Sequence, residues 1–290
     1  MRGVASHRNC TSILEIVFTL CAAASVIKNI STDSRVFGVT AVDDELFVLL
    51  ERDDNQVAVY SINDYQLLRR LNVPEYNPDT FSDMTSCVRH KCLYMSDGYN
   101  DCVHRYDIAG IVHCKWPVRV PGQPFSLSVT PSFNVLVTCQ GEPNKLVELS
   151  AGDGQCVREI ALQPDIVYPW HSVQLTTGQP VVCHGYRASD LHRVCAVGDD
   201  GGVTRSYGCE CGSDVGHVKL ASHFAVDKDS QFIFVADFGN YRVVLLSPTL
   251  EFVRYVSKGR SKPRRLYFDQ ATRRLFVGQE RARDVTVIQL

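Results

Sequence analysis

The residues in this sequence best suited to chemistry are Asp83, His171 and His223. A carboxylate and two imidazoles form a donor set for a catalytic divalent metal ion, the kind that activates water or polarises a substrate oxygen. The three lie far apart along the chain, so only a fold that returns the backbone repeatedly to one point would assemble them. No Ser-His-Asp order, Gly-rich phosphate loop or His-Glu-x-x-His motif offers another catalytic class. The 12 cysteines do not form a disulfide or zinc framework. Cys87 and Cys92 flank a short connection and read as cross-strand neighbours, and Cys209-Glu210-Cys211 sits in a Gly-rich loop. A structural zinc site would need a second close pair of ligands, and the spacing supplies none. His90, His104 and His113 show no ligand spacing and are expected to be exposed, while Trp116 and Trp170, each beside a proline, are expected to pack in the core or rim.

The elements that would position these residues are visible as a repeat. LFVLLERDDNQVAVYSI from Leu46, LYMSDGYNDCVHRYDI from Leu93 and VLVTCQGEPNKLVELS from Val135 share one plan with PVVCHGYRASDLHRVC from Pro180, FIFVADFGNYRVVLLS from Phe232 and LFVGQERARDVTVIQL from Leu275. Anchored on Val57, Val103, Leu146, Leu191, Val243 and Val285, the copies are separated by 46, 43, 45, 52 and 42 residues. Each copy holds apolar and alternating runs of strand length divided by polar turns, with no helical period between them. Four short antiparallel strands recurring at this spacing specify an all-β, six-bladed propeller, whose blades stay apolar on both faces until neighbours cover them. The last copy stops at Leu290 after its third strand, leaving a sheet edge to be paired. The alternating segment from Ser25 to Ile30 precedes the first full copy, so an N-terminal strand is expected to close the last blade. The propeller is placed at 25–290, behind an N-terminal apolar segment at 1–24.

In such a ring the innermost strands line a central channel. Carrying the register of His223 through the copy spacings gives Phe37, Asp83, Ser126, His171, His223 and Arg265 as one belt around it. The channel residues Asp83, Ser126, His171, His223 and Arg265 are therefore the first binding candidates, with Asp83, His171 and His223 as the metal-binding alternative. Polar side chains at a wet channel mouth require no ligand, and no metal, cofactor or catalytic residue is assigned.

The copies resemble the NHL-repeat family. The fifth carries the resemblance best, in Phe224-Ala225-Val226-Asp227, Val235-Ala236-Asp237, Gly239-Asn240 and Arg242-Val243; the second shares Ser96-Asp97-Gly98, Asn100 and Cys102-Val103. The third, fourth and sixth copies have Gln140, Gly185 and Gln279 where Asp97 and Asp237 stand. The resemblance implies a six-bladed propeller used as a protein-binding or RNA-binding platform, often as the C-terminal part of tripartite-motif ubiquitin ligases. The sequence has no ring-type Cys/His cluster and no coiled-coil heptad run, so in that setting the expected role is substrate recognition, not ubiquitin transfer.

Composition narrows the partners. With 30 Lys plus Arg against 32 Asp plus Glu, a net charge of −2 gives no global attraction to nucleic acid or anionic lipid. A local basic patch, Arg260, Lys262, Arg264, Arg265, Arg273 and Arg274, is the candidate phosphate or RNA surface, set against the ordinary use of charge to protect a sheet edge. The apolar stretch from Ile13 to Ile27 contains Glu15 and is too short for a comfortable membrane span. It fits a signal peptide better, although the cysteine usage favours the cytoplasm, with secretion as the alternative. The expected function is a monomeric, non-catalytic recognition scaffold whose first partner is protein and second RNA, with no DNA or membrane partner. The alternative is a channel-metal hydrolase or lyase.

Overall fold

The computed structural model of the chain describes residues 24–290 apart from 52–56, 77–81, 110–112, 118–121, 187–190 and 260. The N-terminal apolar stretch therefore falls mostly outside the described residues.

Among the described residues, twenty-four strands form six four-stranded antiparallel sheets. Blade 1 runs outward through Val36–Val42, Glu45–Leu50, Val57–Ser61 and Leu67–Leu71. Blades 2 to 5 repeat that order, with innermost strands Met84–Cys87, Gln123–Val129, Pro169–Gln174 and Ala221–Val226. In blade 6, Pro263–Asp269, Arg274–Gln279 and Asp284–Gln289 are completed by Ser25–Ser31 from the other end of the chain, in the register Ile30 opposite Val285 and Ser25 opposite Gln289. Neighbouring innermost strands touch one another all the way round, blade 6 against blade 1 included.

The burial pattern follows from the layering. In blade 1 the innermost VFGVTAV is buried at every position, whereas the outermost LLRRL is nowhere buried. A strand covered on both faces reads as an apolar run, and an edge strand reads as polar alternation. Between blades the faces interlock: Cys183, Val194 and Ala196 of blade 4 pack on Phe224, Val235 and Val244 of blade 5. Each valine or phenylalanine among them contributes roughly 1.5–3 kcal/mol by leaving water, so the six interfaces carry most of the apolar stabilisation. Polar pairs are threaded through them, Thr40 Oγ1 lying 2.6 Å from Ser86 Oγ and Thr138 Oγ1 2.7 Å from Ser172 Oγ.

One device recurs in five of the six innermost strands. A β-bulge near the start of each sets one extra residue against the second strand, at Phe37, Phe125, Trp170, Ser222 and Arg264. A bulge bends the strand and re-aims the residue that follows it. The residues re-aimed are those that meet in the channel.

Candidate functional site

The residue after each bulge pairs with the second strand in an equivalent register: Gly38 with Leu49, Ser126 with Thr138, His171 with Cys183, His223 with Ala236 and Arg265 with Gly278. In blade 2 the Ser96 amide donates to the Asp83 carbonyl, which places Asp83 at the same level. The belt is thus Gly38, Asp83, Ser126, His171, His223 and Arg265. The expectation for blade 1 is corrected by one residue, because Phe37 is the bulge residue and packs, fully buried, between blades 1 and 2. A Cβ on Gly38 would stand 2.7 Å from Met84 Cβ, so the close approach of two innermost strands requires glycine there.

The five side chains converge. Arg265 Nε lies 3.0 Å from Asp83 Oδ1 and donates at 2.7 Å to the Phe37 carbonyl, while its Nη2 donates at 2.9 Å to the Ser82 carbonyl. Asp83 Oδ2 accepts the Leu127 amide at 3.1 Å. His223 Nε2 and His171 Nε2 approach the same carboxylate at 3.6 and 3.9 Å, their ring centroids 3.8 Å apart. His223 Nδ1 accepts the Leu266 amide at 3.3 Å and His171 Nε2 donates to the Leu127 carbonyl at 3.2 Å, which fixes both neutral tautomers with the proton on Nε2. Ser126 Oγ is buried in the same belt. Burial alone would raise the Asp83 carboxyl, but the Arg265 guanidinium and the His223 imidazole override it and hold the group well below the usual carboxylate range. Burial pushes both His171 and His223 below the ordinary imidazole range, His171 the further because His223 stands against it. The belt is a buried ion pair flanked by neutral imidazoles.

Above this floor the channel opens into a cavity of 590 Å³ reached by all six blades. His171 and His223 form part of its base, and Val129, Phe133, Val173, Val226 and Phe268 are among the apolar residues of its wall. The arrangement is an apolar cup with two imidazoles at the bottom, able to hold an apolar group and hydrogen-bond its tip.

The donor set suits a metal by type, since one ligand atom from each of Asp83, His171 and His223 lies within 4.8 Å of the others. The surroundings do not. A dication at that point would sit beside the Arg265 guanidinium, which already supplies the positive charge the carboxylate needs.

The basic patch is dispersed. Arg265 is in the channel; Arg264 is buried, paired with Glu280 and stacked over Phe37. Lys262 lies over the Phe238 and Tyr241 rings. Arg273, at the opposite end of the blade, bonds Asp227 at 2.8 Å, and Arg274 reaches Gln289. Arg260 lies outside the described residues. The described members do not form one phosphate-facing surface.

Further expectations are corrected. His104 is fully buried, not exposed, because it compensates a buried carboxylate: its Nε2 lies 3.0 Å from Asp97 Oδ2, and its Nδ1 lies 2.9 Å from His113 Nε2. At the position of Asp237, blade 4 has His184, not Gly185, to which Arg193 Nε donates at 2.8 Å, and blade 3 has Cys139, not Gln140, opposite Lys145. The repeat carried the signal, since Asp237 pairs with Arg242 across its hairpin just as Asp97 pairs with Cys102 and His184 with Arg193. Trp116 packs between blades 2 and 3, and Trp170 Nε1 donates to the Gly185 carbonyl at 2.7 Å.

No family model matches this sequence, and no curated protein sequence does. Solved structures share its fold. A virginiamycin B lyase from Staphylococcus aureus superposes with a TM-score of 0.64 at 10% identity, over 92% of this chain and 99% of that one. Hydrazine synthase from Kuenenia stuttgartiensis gives 0.64 at 16% identity over 90% and 97%. A streptogramin B lyase gives 0.63 at 10% identity over 92% and 98%, and at these identities the likeness establishes the propeller fold alone.

Proposed function

We propose that this chain is a non-catalytic recognition module that receives an apolar group of a protein partner in the mouth of its channel. The observation that carries the reading is the internal neutralisation of Asp83 by Arg265, with the Leu127 amide donating to the same carboxylate, which leaves the belt without a free charge beneath a wall whose larger share is apolar. A general acid–base site would instead keep an ionisable group poised to change its charge, whereas burial holds both imidazoles at the cavity base neutral. The competing reading, a channel-metal lyase or hydrolase, is favoured by the lyases among the structural neighbours and by the clustering of Asp83, His171 and His223.

Val129 and Val226, both only half-buried in the wall, give a direct test. A partner captured from native extract is purified and titrated against the wild-type chain and against Val129→Asp and Val226→Asp. Burying one aliphatic side chain is worth roughly 1.5–3 kcal/mol, so each variant should weaken binding by about 10–100-fold while the chain still melts cooperatively well above the titration temperature, since both valines also pack against the blade interfaces. Equal binding by both variants would refute a cavity-mouth interface. One equivalent of metal in the purified chain that disappears in His171→Gln and His223→Gln would establish the competing reading.

A further inference from the structure

Blade 2 holds a second cluster that recognition at the channel mouth leaves unused. Asp97, Cys102 and His104 are 2%, 5% and 0% exposed, and one ligand atom from each lies within 4.8 Å of the others. Cys102 stands opposite Asp97 across the hairpin, and His104 follows two residues later on the same strand face. The Asp97 carboxylate is oriented from behind, Oδ1 accepting the Asn100 amide at 3.0 Å and Oδ2 the Asn100 side chain at 2.8 Å. His104 turns its other nitrogen to His113.

Two sister blades hold an arginine at the position of Cys102, and a third holds Lys145. In blade 5, Asp237 has the same asparagine contact at 2.9 Å, and its cross-strand partner Arg242 places Nε 2.6 Å from Oδ2. In blade 4 the cross-strand partner is Arg193. Blade 2 keeps the buried aspartate and its asparagine but has a thiol where the other two have a guanidinium. A permanent cation has been exchanged for a soft ligand beside an imidazole and a carboxylate.

We propose that Asp97, Cys102 and His104 bind a zinc ion. Thiolate, imidazole and carboxylate together form a zinc donor set, and the tetrahedral site is completed by water. The ion takes the place of the proton between His104 Nε2 and Asp97 Oδ2. The imidazole proton moves to Nδ1 and is donated to His113 Nε2, while His113 shifts its own proton from Nε2 to Nδ1; this is the outer-sphere contact that orients a ligating histidine. The Cys102 thiol proton leaves to solvent. One dication then balances one carboxylate and one thiolate, so the buried cluster is neutral. With zinc bonds of about 2.0–2.3 Å, His104 and Asp97 need to part by only a few tenths of an ångström from their 3.0 Å contact.

The test uses the full chain, stripped with chelator, reloaded with zinc and desalted, with metal content read by mass spectrometry and melting temperature by calorimetry. A cobalt-loaded sample is read by its near-ultraviolet thiolate-to-metal absorption. One zinc per chain, a melting temperature raised by several degrees and a thiolate band are expected. Cys102→Ser should abolish the band and weaken zinc binding at least 100-fold, and His113→Gln should weaken it about 10–100-fold at unchanged stoichiometry. Cys102→Arg restores the arrangement of blade 5, so it should fold without metal and gain nothing from zinc. Absence of both zinc and the cobalt band in the wild-type chain overturns the site, as does full zinc affinity in Cys102→Arg. Zinc lost in His171→Gln but kept in Cys102→Ser places the ion in the channel and overturns this inference together with the non-catalytic reading.

Discussion

His171, His223 and His184 are buried imidazoles whose proton affinity is lowered first by burial. His184 is pushed down to about 4, with Arg193 adding to the effect. Because the folded value lies below the unfolded one of about 6.5, the unfolded chain takes up protons that the folded chain refuses. Stability is therefore complete above that pH and declines as acid is added. For His184 the loss reaches about 2 kcal/mol at pH 5 relative to pH 8. Denaturant melts from pH 8 to 5 should show this decline, shallower in His184→Gln, and a flat profile would contradict neutral burial. The depressed Asp83 adds to the decline only in stronger acid: its stabilisation is fully present above the unfolded carboxylate value of about 3.9 and is lost as pH falls from there toward its folded value. Much of the channel belt was legible at this scale because polar residues opening otherwise apolar strands stand out. Gly38 was not, since the first hairpin turns on Asp43 and Asp44 alone and carries the register one residue past Phe37. His104 was misread because its reason for burial, Asp97, lies on the preceding strand and becomes a neighbour only through the register.

At the scale of elements, the blade plan was readable from period and alternation, and so was the closing strand, because a four-strand unit that ends after three leaves an edge that must be paired. The fourth copy shows the limit: its third strand is Arg193–Val197, so Val194, not Leu191, is the register residue. His171 still falls in the belt, since a misplaced anchor and a longer connection between the second and third strands offset each other. The seam in blade 6 makes a sharp prediction. A chain beginning at Ala24 retains Ser25–Ser31 against Asp284–Gln289, whereas a chain beginning at Asp33 exposes that edge and uncovers Val285 and Val287. Thermal melts should show near-native stability for the first truncation and a large drop or aggregation for the second. Equal melting temperatures would mean that the strand does not close the ring.

At the scale of the whole molecule, the interior among the described residues is thiol-rich, and outside the Cys102 cluster it is chemically quiet. Cys87, Cys92, Cys102, Cys139, Cys183 and Cys195 are buried, and burial pushes the Cys139 and Cys195 thiols up to about 12. Cys156, Cys209 and Cys211 are exposed. Brief alkylation of the native protein followed by peptide mass spectrometry should label those three first among the described cysteines, with the buried six reacting only after denaturation. Rapid native labelling of Cys183 or Cys195 would show that the blade interfaces open readily.

The seam that joins Ser25–Ser31 to Asp284–Gln289 also orders events in time. The strand synthesised before the six blades is the one the propeller uses last, because its partner Asp284–Gln289 is the last of the described strands to be made. At ~5–20 residues per second, the alternating segment waits roughly tens of seconds while five complete blades emerge. Those blades can fold as they appear, since each sheet is built from consecutive strands. The ring itself cannot lock until Asp284–Gln289 has emerged, so every nascent chain passes through an open arc of blades with an unpaired edge at one end and an unsatisfied strand at the other. Two such arcs at high local concentration present complementary ends, and exchange of that strand between chains is the misassembly this architecture invites.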